Sequence, residues 1–136
     1  MIARYVDDAE GRVWDGLRKT LEASAAAGHR IGGCGLLLAS GRPLPDLAQI
    51  LTSHALIHTA DGVHFRDALT SAATRLSLKV TAVREREVEA QAAEAAGISA
   101  ETLKAQIARL GKALGSPWTQ DEKLAALVGL LALVAR

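Results

Sequence analysis

The chain is short of most of the residues that announce a function. Cys34 is its single cysteine in 136 residues, so an intrachain disulfide and a cysteine-built zinc site are both excluded. Aromatic residues are confined to Trp14, Trp118, Tyr5 and Phe65, too few for a platform on which bases stack. Charge of one sign is also lacking, because sixteen basic residues meet fifteen acidic ones and leave a net charge of +1. Such a balance supplies no long-range attraction for phosphate. The local pattern agrees: Arg84 and Arg86 alternate with Glu85 and Glu87, and Lys104, Arg109 and Lys112 are dispersed, as on a solvated face. The longest apolar run, Leu124 to Ala135, has twelve residues, well short of the roughly 20 that span a bilayer. The opening MIARYVDDAEGR has no apolar core of the kind a secretory signal needs. Together with the lone thiol, these absences predict a cytoplasmic protein with no membrane partner.

What is present reads as one domain, residues 1–136, with alternating strands and helices. Ile2 to Val6 suggests a first strand ending in Asp7 and Asp8. Val13, Leu17, Leu21 and Ala25 fall four apart and predict a helix closed by Gly28. Ile31 to Leu38 reads as a buried strand whose glycines permit close backbone approach or a bulge. Their spacing fits neither a P-loop nor a dinucleotide fingerprint. Pro43 and Pro45 mark a loop, and Asp46 to Thr52 a short helix.

The stretch from His54 to Glu85 carries the organisation. Ala55 to His58 reads as a strand and His-Thr-Ala-Asp-Gly as a turn. A helix follows, with Phe65, Leu69, Ala72 and Leu76 facing a sheet, and Val80 to Val83 is a fourth strand. Beyond it all is helical. One helix ends at Gly97, a second is capped by Ser99 and carries Leu103, Ile107, Leu110 and Leu114, and a third starts at the capping box Thr119-Gln120-Asp121-Glu122. The expected fold is therefore α/β: a three-layer domain with about four mainly parallel strands and a helical C-terminal third.

In a βαβ unit, ligands gather at the carboxyl ends of the strands, which singles out His58, Thr59 and Asp61 as binding residues. His64 lies three residues from Asp61, within reach on a helix, as a base or a metal-ligand fragment. His54 and His58 do not chelate one ion on this reading, since four residues of strand span roughly 13 Å. The carboxylates Asp7, Asp8, Asp61, Asp121 and Glu122 stand at strand and helix ends. If they converge, they hold two divalent cations for attack on a phosphodiester. Carboxylates at such positions also solvate turns and meet helix dipoles.

From His54 onward the order strand, helix, strand, helices and a closing acidic-then-apolar helix (DEKLAALVGLLAL) resembles the second half of the ribonuclease-H-like fold, in particular the Holliday-junction resolvases of the RuvC type. That resemblance implies a metal-dependent nucleic-acid-processing domain, or an inactive relative. Its catalytic residues would be Asp7, Asp61 and Asp121, its metal ligands Asp7 or Asp8, Asp61, and Asp121 or Glu122, and its cofactor Mg²⁺ or Mn²⁺. The alternative is a non-enzymatic protein acting through self-association or partner binding. It rests on the closing helix, where Leu124, Leu127, Val128, Leu130, Leu131, Leu133 and Val134 cover more than one stripe and predict a homodimer.

Overall fold

The computed structural model describes the backbone of residues 2–39 and 43–135, with side chains from Asp8 onward. It is 70% helix and 10% strand, which overturns the expected three-layer α/β domain with four strands. Among the described residues there are six helices and one parallel sheet of two strands. The elements are α1 (Ile2–Ala26), β1 (Gly33–Leu38), α2 (Leu47–Leu51), α3 (His54–Arg75), β2 (Lys79–Arg84), α4 (Glu85–Ala96), α5 (Ala100–Leu114) and α6 (Gln120–Val134).

Two expected strands are helix. Ile2 to Val6 opens α1, whose helical pattern at Val13, Leu17 and Leu21 follows directly, with no break between the two stretches. Ala55 to His58 lies in the first two turns of α3. Ser53 caps that helix, its hydroxyl accepting the Leu56 N–H at 3.4 Å. The Gly62 that suggested a turn lies within α3, where glycine costs helix stability without forbidding the helix.

The chain divides into two compact units. The first comprises Met1–Gly32 and Gly41–Lys79; the second comprises Gly33–Ser40 and Val80–Arg136. In the first unit, α3 packs against α1 and α2. The buried residues of α3 are Ala68, Ala72 and Ala73, side chains small enough to let a neighbouring helix come close. Trp14 of α1 stacks under two guanidiniums, Arg18 and Arg75, each 5.5 Å from the ring centroid. Phe65, expected to face a sheet, is 57% exposed.

The second unit holds the main apolar core. Val83, Val88, Ala92, Leu103, Leu124, Leu127, Val128 and Leu131 cluster there, and α6 packs on β1 and α4. Burying each such leucine or valine is worth roughly 1.5–3 kcal/mol. β1 and β2 bear out the strands expected near Ile31 to Leu38 and Val80 to Val83. Gly35 explains the glycines of β1. A Cβ built there would fall 2.5 Å from the carbonyl oxygen of Val128, so only glycine lets α6 lie this close to the strand. The caps at Gly28, Gly97, Ser99 and Thr119 stand where the sequence placed them.

Candidate functional site

The candidate residues fall in both units. In the first, His54, His58, Thr59, Asp61 and His64 all belong to the amino-terminal half of α3. Their expected setting, the carboxyl edge of a sheet, does not exist, since the strand that was to end at His58 is helix. The helix creates a different arrangement. His54 and His58, one turn apart and both exposed, turn their rings toward each other with Nε2 atoms 2.9 Å apart. The ring centroids are 4.3 Å apart and the planes stand at 80°. The Thr59 hydroxyl donates to the Ala55 carbonyl at 2.9 Å, so it serves its own helix. Asp61 is exposed, and its position three after His58 and seven after His54 puts it on their face. His64 is half-buried on another face, and its Nε2 is shielded from solvent without a hydrogen-bond partner.

In the second unit, Asp121 and Glu122 open α6. Glu122 completes the capping box: its carboxylate accepts the Thr119 N–H at 2.6 Å and meets the Thr119 hydroxyl in a short contact. The Thr119 hydroxyl hydrogen bond, with help from the backbone amides of Thr119 and Glu122, lowers the Glu122 pKa below its ordinary value. That carboxylate is engaged in holding the helix end. Asp8 is exposed on α1, and the side chain of Asp7 lies outside the described residues. Among the described residues, no three of His, Cys, Asp and Glu are grouped to hold a metal ion.

Other chemistry-bearing groups are quiet. The half-buried Cys34 has its thiol pKa raised by desolvation, so the weakly reactive neutral thiol dominates near neutrality. A groove of about 690 Å³ in the second unit is bordered by Arg84, Glu85, Arg86 and Glu89 over Val88 and Leu124. Three of the four have a charged neighbour: Arg84 and Arg86 reach Glu87 at 3.6 and 3.4 Å, and Lys104 reaches Glu89 at 3.0 Å. This is the mixed, solvated face that alternating signs predict.

The outer face of α6 is different. Leu124, Leu127, Val128, Leu131 and Ala132 are buried in the unit's own core, while Ala125, Gly129 and Leu133 form an exposed row flanked by half-buried Ala126 and Leu130. From Ala125 to Val134 that face carries no charged or polar side chain. The feature that the strand reading set aside was His54 as a partner of His58. Its signal was Ser53, a capping residue that starts a helix and so brings histidines four apart onto one face. No protein-family model, no curated protein and no solved structure matches this chain. No helix among the described residues is long and apolar enough to cross a membrane.

Proposed function

We propose that this chain works by association with a second copy of itself, through the outer face of α6, rather than by covalent chemistry. The observation that carries this reading is the row Ala125, Gly129 and Leu133. A helix on a protein surface ordinarily turns charged residues to solvent, and here three successive turns do not. The row suits a like partner. Ala125 and Gly129 are small enough for a second helix to approach closely, Leu133 supplies apolar area, and an uncharged stripe meets its own copy across a two-fold axis without repulsion. The engagement of Glu122 as a cap and the neutral thiol of Cys34 are in keeping with a binding role.

Gly129→Glu provides the test. Nothing lies within 4 Å of a Cβ at Gly129, and glutamate is the better helix former, so the variant is expected to fold. Light scattering should give a dimer mass for the unaltered chain at micromolar concentration and a monomer mass for Gly129→Glu, with equal helical circular dichroism. A monomer for the unaltered chain up to about 100 μM, a concentration at which even weak specific pairs are populated, overturns the proposal.

A further inference from the structure

On the strand first expected, His54 and His58 would be too far apart to share an ion. On α3 they stand one turn apart, with Nε2 atoms 2.9 Å from each other on the exposed side of the helix. Two imidazole nitrogens bound to one first-row metal at about 2.0–2.1 Å lie about 2.9 Å apart at a right-angled bite and about 3.4 Å apart at a tetrahedral one. The observed spacing matches the right-angled case, which square-planar and octahedral ions adopt.

We propose that His54 and His58 form a two-nitrogen chelate for a divalent transition metal, with Cu²⁺ preferred, then Ni²⁺, then Zn²⁺. Imidazole suits these ions, whereas Mg²⁺ and Ca²⁺ demand oxygen ligands. Without metal, one ring donates its Nε2–H to the Nε2 of the other. When the ion binds, the donating ring carries its proton on Nδ1 instead, so that both Nε2 lone pairs face the metal. No net proton is released from the neutral pair. Modest rotation of the rings turns the lone pairs from each other toward a common point.

Two local charges act on the site. The positive end of the α3 dipole, at Ser53, opposes a cation. Asp61, further along the same face, adds a negative charge. With two protein ligands the ion keeps open positions, which water or a donor from another molecule fills. The site thus differs in ligands, metal class and place from a carboxylate cluster for Mg²⁺.

Titration calorimetry of the full chain with CuCl₂, NiCl₂ and ZnCl₂ is the test, joined by electron paramagnetic resonance of the Cu²⁺ form. One ion should bind per chain in the order Cu²⁺, Ni²⁺, Zn²⁺, undisturbed by millimolar Mg²⁺, and the resonance should show two imidazole nitrogens. His54→Ala and His58→Ala should each weaken binding by about tenfold or more, while His29→Ala leaves it unchanged. Both substitutions fall on exposed helix positions where alanine is favourable, so helical content should hold. Equal binding by the double variant His54→Ala/His58→Ala, loss of binding on His29→Ala, or a Cu²⁺ spectrum with fewer than two coordinated imidazoles overturns the proposal. The resonance result stands on the unaltered chain and does not depend on any variant folding.

Discussion

Ser77 is held at φ 59°, in the left-handed region that side chains with a Cβ resist. It follows Leu76 at the end of α3, where the Ser77 N–H reaches the Thr74 carbonyl at 3.0 Å and the Leu78 N–H reaches the Ala73 carbonyl at 2.9 Å. That closure is the Schellman type, whose left-handed position is usually glycine, as Gly97 is at the end of α4. Ser77→Gly should therefore raise stability by about 1 kcal/mol, visible as a rise in the thermal midpoint. A fall in the midpoint would mean that the serine side chain contributes more than its backbone costs. Glu122 makes the opposite kind of contribution, through charge. Its folded pKa is lowered, so its stabilisation is present above the ordinary glutamate value of about 4.3 and is lost as pH falls through the folded value. Thermal midpoints of the unaltered chain and Glu122→Ala should differ at neutral pH and converge by about pH 2. Curves that stay equally separated at both pH values would contradict this role for its charge.

At the scale of elements, Gly35 of β1 governs how α6 sits on its strand. Adding a methyl group drives it into the backbone of Val128, and backbone, unlike the tip of a flexible side chain, has nowhere to move. Gly35→Ala should cost about 1–3 kcal/mol, the range for overpacking a filled interior, and denaturant titration should show a lower midpoint with a similar slope. A neutral result would mean that α6 shifts freely on β1. These elements also show what a sequence displays and what it hides. Helix ends were legible at Gly28, Gly97, Ser99 and Thr119 because capping chemistry involves residues three or four apart. β2 was legible because Val80 to Val83 is rich in branched residues and ends in charge. The start of α3 was not, because Ala55 to His58 is too short for periodicity to separate strand from helix and Gly62 imitates a turn. Once that segment was read as a strand, an extra layer and a site at its carboxyl end followed. His58 and Asp61 remained worth singling out, but the reason changed from a sheet edge to a helical face. The pairing with His54 was hidden by the same error.

For the molecule as a whole, the chain forms two largely helical units, and among the described residues the two-stranded sheet belongs to the second. The closing helix was legible as apolar all round, and most of its leucines prove to be buried in its own unit rather than awaiting a partner. What remains outside is the row of Ala125, Gly129 and Leu133, with Val134 beside its end, narrower than the sequence implied and better suited to a close helix pair. If α6 pairs as proposed, the thermal midpoint should rise with protein concentration, as it must when association stabilises the folded state, and Gly129→Glu should abolish that dependence. A midpoint independent of concentration for the unaltered chain would count against pairing.

The path of the chain through these units bears on how the protein is made. β1 belongs to the second unit, yet it is followed by a return to the first, and its neighbour β2 begins only at Lys79. On a ribosome adding about 5–20 residues per second, the strand GCGLLL emerges several seconds ahead of β2 and α6, the elements that pair with it and cover it. No single cut in the gene releases both units whole, since a fragment starting at Val80 leaves β1 behind.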